Sequence, residues 1–165
     1  MFKKTVYLSS FPVGQPKLFD LDESNAWLAE LLSELNEEMT AEEVASLDEK
    51  FFLCFEGEGL RTTTGKLEDH VKIQGKISTV YATRCINTGK PMVDSLELEV
   101  KFVVIDDELI TRYGYEEQTT IFIDDSEFEL YSTKDNRFDI KEIIHEFLWL
   151  NKDQYPTTLT DTDSN

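Results

Sequence analysis

The sequence has little cysteine, no long apolar run and few positive charges. Cys54 and Cys85 are too few for a disulfide framework, so we expect reduced thiols that serve as small core residues. Met1–Ser10 lacks the apolar centre of a signal peptide, and no apolar run approaches the roughly 20 residues of a membrane helix. We therefore expect a cytoplasmic protein with no membrane partner.

Positive charge is scarce as well. The 165 residues include 16 Lys and Arg against 34 Asp and Glu, which gives a net charge of −18. Such a surface repels phosphate and attracts basic partners, which argues against nucleic-acid or membrane binding by the whole surface. The chain length and the 40% of hydrophobic residues, 11 of them Phe, predict one packed domain over residues 1–156. Residues 157–165 are polar, and we expect a disordered tail there.

No set of residues has the spacing of a catalytic or metal site. His145 and Glu146 begin a zinc-protease pattern, but Trp149 stands where its second histidine is required. The acidic run 124–129 lacks the glycine and the final glutamate of a calcium loop. We expect His70, which follows two acids, to be solvated and His145 to lie on a helix surface. The sequence therefore predicts a protein that is not an enzyme and has no catalytic residue, metal or cofactor.

Helical patterns occur at both ends of the chain. Apolar residues between Trp27 and Leu35 recur at helical spacing, which predicts one amphipathic helix. Thr40 and Glu43 form a capping box that begins a second, short helix. A last helix is predicted from Asp139, which caps it, to about residue 150. We expect helices before and after the central part of the chain.

The central part of the chain has the period of β-strands. Between Phe51 and Tyr131 apolar and polar residues alternate, and His70–Cys85 is the longest regular stretch. Ser95–Ile105 alternates again after the turn residues at 87–89, so the two strands should form a hairpin. We therefore predict an α+β fold with an antiparallel sheet that could close into a barrel, N-terminal helices and a C-terminal helix.

Positive charge is concentrated in Leu60–Met92, which we call the basic segment. It holds six Lys and Arg against two acids, in a chain that is otherwise strongly acidic. On a strand, Lys72, Lys76 and Arg84 would share the polar face, with Lys90 at its turn. Such a stripe could hold an RNA backbone by electrostatics without reading its sequence. Alternatively, these side chains only keep the face of an exposed strand solvated and discourage pairing with another strand at the sheet edge.

Part of the basic segment also resembles a known family. Residues 71–77, followed by Tyr81-Ala82-Thr83-Arg84-Cys85, and residues 138–150 are similar to the YceD family of large-subunit ribosomal RNA accumulation proteins. The residues that match its motifs are Gly75, Arg84, Cys85 and Asp139. Ala82 replaces the first cysteine of the family's C-x-R-C motif, so we expect no zinc site at these positions. The resemblance implies a role in large-subunit rRNA processing or accumulation and transfers no catalytic residue.

Three functions remain open from the sequence. The leading hypothesis is a non-enzymatic ribosome-assembly factor that binds large-subunit rRNA, or a pre-ribosomal particle, through the basic strand face. The second is an acidic binding protein or chaperone for a basic ribosomal protein or peptide. Its candidate residues are Glu97, Glu99, Asp106, Asp107 and Glu108. The third is a protein that mimics nucleic acid, and the positive charge of the basic segment argues against this hypothesis.

Overall fold

A computed structural model describes residues 2–157 of the chain. The strands are β1 Thr5–Tyr7, β2 Lys17–Leu21, β3 Phe52–Thr62, β4 His70–Arg84, β5 Pro91–Asp106, β6 Thr120–Ile123, β7 Ser126–Thr133 and β8 Arg137–Asp139. The helices are α1 Ala26–Leu35, α2 Ala41–Ser46, α3 Asp107–Tyr113 and α4 Ile140–Asn151, with a short 3₁₀ turn at Leu8–Ser10. The tail predicted for residues 157–165 lies outside the described residues, apart from Thr157.

Six of the strands form one sheet in the order β2-β3-β4-β5-β7-β6, while β1 and β8 pair separately. Neighbours in the large sheet are antiparallel except β5 and β7, which are parallel. The predicted α+β fold and the β4–β5 hairpin are confirmed. Closure into a barrel is wrong, because among the described strands β2 pairs only with β3 and β6 only with β7. Helices bury the apolar side of the sheet, so the sheet does not have to close on itself.

The main core lies between one face of the sheet, which we call the inner face, and helices α1 and α4. The alternation predicted for β4 is confirmed, since its apolar residues are buried on this face. They pack against the apolar stripes of both helices. Core members are Leu53, Phe55, Val71, Ile73, Ile77, Tyr81, Val100, Phe102 and Val104 from the sheet and Trp27, Leu28, Leu31, Ile140, Ile144 and Leu148 from the helices. Each buried aliphatic side chain stabilises the fold by about 1.5–3 kcal/mol.

A second, smaller core lies on the opposite side of the sheet, which we call the outer face. Helix α3, which the alternation does not predict, packs there through Leu109 against Val103, Ile105 and Phe128. Asp106 caps this helix by accepting a hydrogen bond from the Glu108 amide at 2.9 Å. The helix therefore covers one end of the outer face. Within residues 2–157, the only other helix bonded to a side chain of this face is α2, whose Glu43 pairs with Arg84 at the opposite end of β4.

Two glycines face each other across β3 and β4, at positions where a side chain would clash with the neighbouring strand. Gly57 and Gly75 are directly opposite each other in the antiparallel register. A Cβ at Gly75 would lie 2.4 Å from the Glu56 carbonyl oxygen and 2.8 Å from the Phe55 ring. A Cβ at Gly57 would lie 2.2 Å from the Gln74 carbonyl oxygen. The pairing of β3 with β4 at this point therefore requires residues without a Cβ at both positions.

Candidate functional site

The uncovered part of the outer face is acidic. Residues directly opposite each other in a sheet project to the same side, so the strand register defines which side chains share this surface. Asp20, Glu56, Lys76 and Glu99 form one row across β2, β3, β4 and β5. Five acids and two lysines make up the surface, which we call the acidic face: Asp20, Glu56, Glu58, Glu97 and Glu99 with Lys76 and Lys101. Its net charge is negative even where the basic segment crosses it.

Lys72 and Lys76 both project from the outer face of β4, as the alternation predicts, and each already has an acidic partner. The Lys76 ammonium lies 3.3 Å from the Glu97 carboxylate. The Lys72 ammonium lies 3.8 Å from the Asp124 carboxylate and 5.8 Å from the centre of the Phe128 ring. The side chain of Lys72 is only 17% exposed. The predicted basic stripe is therefore neutralised along much of its length.

Arg84 connects the end of β4 to the segment around α2. Its guanidinium donates hydrogen bonds to the Glu43 carboxylate at 2.8 Å, to the Glu38 carbonyl at 3.1 Å and to the Gly89 carbonyl at 3.0 Å. The hydrogen bond from Arg84 is the main reason that the pKa of Glu43 lies below its usual value. Lys90, at the adjacent turn, is exposed. Of the four predicted RNA-binding residues, Arg84 thus has the clearest structural role.

The other residues that match the family motifs also have structural roles. Cys85 is buried, and its amide donates to the Lys90 carbonyl at 2.9 Å. Asp139 caps α4 by accepting a hydrogen bond from the Glu142 amide at 3.1 Å. Next to Cys85, the Ile86 amide donates to the carbonyl of the buried Pro156 at 2.8 Å, which ties the β4–β5 turn to the chain that follows α4.

The five predicted acidic residues fall into two groups. Glu97 and Glu99 are exposed on the acidic face. Asp106, Asp107 and Glu108 lie at the N-terminus of α3, where Asp106 is the cap and Asp107 lies 3.9 Å from the Lys134 ammonium. Along β5, roughly 23 Å separates Glu99 from Asp106 at about 3.3 Å per residue. The second group therefore stabilises a helix terminus instead of extending the acidic face.

Cys54 and His70 differ from their predicted positions. Cys54 alternates with the buried Leu53 and Phe55, so it projects to the outer face and is half-buried. Burial raises the pKa of its thiol, and the nearby Glu23 and other carboxylates raise it further.

His70 was expected to be solvated, but it is 7% exposed. Its Nδ1 lies 2.8 Å from the Glu68 carbonyl oxygen, and burial lowers its pKa.

Three members of the acidic face, Asp20, Glu56 and Glu58, are not among the acidic residues that the sequence pattern predicts. The signal available in the sequence was Glu56-Gly57-Glu58-Gly59, in which acids alternate with glycines on a strand. The pairing of β2 with β3 cannot be inferred from that pattern, because register depends on residues far apart in the chain. Within residues 2–157, no group of three or more His, Cys, Asp or Glu side chains is arranged to hold a metal ion.

Comparisons with known proteins add nothing to the class that the fold and the acidic face define. No family model, curated protein or solved structure matches the chain. Among the helices of the described residues, none is long and apolar enough to cross a membrane. The molecule is an α+β protein whose sheet has one face buried by helices and the other partly open and acidic.

Proposed function

We propose that the protein is a non-enzymatic binding protein that holds a basic partner on its acidic face. The observation that carries this proposal is the arrangement of five carboxylates around two lysines on a sheet surface without a covering helix. The strand register fixes the backbone positions from which these side chains project, so a partner with matching positive charges meets a surface whose charges are already placed. The net charge of −18 attracts such a partner from a distance.

The partner we propose is a basic ribosomal protein of the large subunit, which the protein would hold before assembly. The resemblance to the YceD family supports this context, because that family acts in large-subunit rRNA accumulation. Binding by charge also suits an assembly factor, because rRNA carries enough negative charge to compete for the basic protein.

Direct binding of rRNA through Lys72, Lys76, Arg84 and Lys90 is the second candidate. The exposure of Lys90 at the β4–β5 turn favours it, as does the family resemblance. The first three residues each lie next to a carboxylate, which lowers the positive potential that a phosphate would meet. We therefore place this candidate second.

Neutralising the acidic face tests the proposal. The variant combines Glu56→Gln, Glu58→Gln, Glu97→Gln and Glu99→Gln, and the matched control combines Glu37→Gln, Glu49→Gln, Glu116→Gln and Glu117→Gln at exposed sites elsewhere. Fluorescence anisotropy measures binding of a lysine-rich peptide, of purified basic large-subunit proteins and of an rRNA fragment. We expect the face variant to bind the basic probes about tenfold more weakly or worse, and the control to bind within about twofold of the parent.

Two results would contradict the proposal. One is equal loss of binding in the face variant and the control, which would show that only total charge matters. The other is binding of the rRNA fragment at low salt without binding of any basic probe. In that case the rRNA candidate would take its place, and replacing Lys72, Lys76 and Arg84 with Glu should flatten the salt dependence of RNA binding.

A further inference from the structure

Strand β2 leaves one edge of the large sheet open beside the acidic face. It pairs with β3 from Lys17↔Gly59 to Leu21↔Phe55, and no other described strand pairs with its opposite edge. An unpaired edge presents backbone N–H and C=O groups that another extended chain can complete. Pro16 and Lys17 protect the start of this edge, but Leu18 is 75% exposed and lies on it.

Depressions lie on both sides of this same edge. On the outer side, a depression of about 680 Å³ is lined by Leu18, Asp20, Glu56 and Glu58. On the inner side, a groove of about 450 Å³ separates β2 from β1, and it is lined by Phe2, Val6, Phe19 and Leu21, among other residues. A strand laid along β2 would direct alternate side chains into these two spaces.

The chemistry of the two spaces differs. The outer depression has three carboxylates near the edge, and Lys76 on its far side is already paired with Glu97. The inner groove has an apolar wall in which the centres of the Phe2 and Phe19 rings are 5.5 Å apart, and its lining also includes Lys3 and Lys17. The Lys17 ammonium lies 5.7 Å from the centre of the Phe2 ring, so this side of the edge repels further basic residues. A complementary segment therefore needs basic residues at every second position and apolar residues between them.

We propose that an extended segment of the basic partner, with alternating basic and apolar residues, adds to the sheet as a strand beside β2. This inference rests on the proposed function and specifies where the partner binds and in which conformation. Backbone hydrogen bonds to β2 supply affinity, and the alternating side chains supply specificity. A second copy of the chain does not suit this edge, because both copies carry a net charge of −18 and repel each other.

Peptides test the strand conformation directly. The probe is a capped nine-residue peptide of alternating lysine and valine, and the control has the same composition with the lysines and valines in separate blocks. Two further versions carry N-methyl groups either on every valine or on every lysine. Because alternate amides of a strand face opposite edges, only one methylated set would face β2. We expect that set to bind about tenfold more weakly or worse and the other to bind like the parent peptide.

Variants of the protein test whether the peptide binds at the β2 edge. Leu18→Lys adds a repelling charge at β2, and Leu150→Lys, at a leucine that is 76% exposed on α4, is the matched control. We expect about fivefold or greater loss of peptide binding for the first variant and none for the second. Amide hydrogen exchange within Lys17–Leu21 should slow when the alternating peptide binds, because outward-facing amides gain acceptors.

The outcomes separate this inference from the proposed function. If lysine peptides bind but both methylated sets bind equally, or if Leu18→Lys and Leu150→Lys behave alike, the edge inference is wrong and the proposed function stands. If no lysine peptide or basic ribosomal protein binds at low salt, both are wrong. Sedimentation that shows a stable dimer, with Lys17–Leu21 protected in the absence of peptide, would also overturn the edge inference.

Discussion

Arg84 shows how one residue can look like a ligand contact in the sequence and act as a structural connection in the fold. On β4 it lies on the polar face, as the period of two predicts. Its acceptors, however, lie 41 to 46 residues away in Glu43 and Glu38 and also at Gly89. Sequence spacing predicts the face of a strand residue, but not the long-range partner that occupies its side chain. For the same reason, the acidic partners of Lys72 and Lys76 could not be predicted.

We expect Arg84→Ala to lower the free energy of unfolding by about 1–2 kcal/mol, because two hydrogen bonds to the α2 segment, at Glu38 and Glu43, and one within the β4–β5 turn, at Gly89, are lost. The estimate is modest because the Arg84 and Glu43 side chains are 36% and 27% exposed. Urea unfolding measures the change. Lys90→Ala, at the exposed end of the same turn, is the control and should change stability by less than about 0.5 kcal/mol. Equal effects of the two substitutions would show that Arg84 does not connect these segments.

At the scale of elements, the long strands are the best predicted part of the molecule. The alternation in β4 and β5 is long enough to determine both the hairpin and the buried face, and the capping residues Thr40 and Asp139 begin their helices as expected. Helix α3 is not predicted because its seven residues, Asp107–Tyr113, are too few to show a helical period. The open edge at β2 and the parallel pairing of β5 with β7 depend on how distant segments meet, which local patterns do not encode.

Gly75 gives a prediction at this scale, because it determines how closely β3 and β4 approach. Gly75→Ala should lower stability by about 2 kcal/mol or more, since its Cβ would lie 2.4 Å from the Glu56 carbonyl oxygen. Gly65→Ala is the control, because Gly65 has no atom within 4 Å of a new Cβ but has φ of +89°. That substitution should cost about 1 kcal/mol from backbone conformation alone. Thermal unfolding of both variants would contradict the close-approach explanation if Gly65→Ala proved the more destabilising.

At the scale of the whole molecule, excess negative charge has two opposite consequences. The net charge of −18 destabilises the compact state through repulsion between acids. The same charge attracts a basic partner. On the acidic face, negative charge is concentrated at a surface with few positive side chains. The ion pairs of the basic segment, such as Lys76 with Glu97, relieve some of the repulsion inside the fold. Folding and binding should therefore respond to salt with opposite signs.

Raising NaCl from about 10 mM to about 150 mM shortens the Debye length from about 30 Å to about 8 Å. Repulsion between distant carboxylates is then screened, so we expect the melting temperature of the free protein to rise by a few degrees. Attraction to a lysine-rich peptide is screened as well, so its dissociation constant should increase about tenfold or more over the same range. Calorimetry and anisotropy on one protein sample measure both effects.

The four-residue Gln variant of the acidic face should show a smaller change in each, because it carries four fewer negative charges. A melting temperature that falls with salt would mean that attractive ion pairs outweigh repulsion, whereas binding independent of salt would exclude charge as the basis of partner recognition.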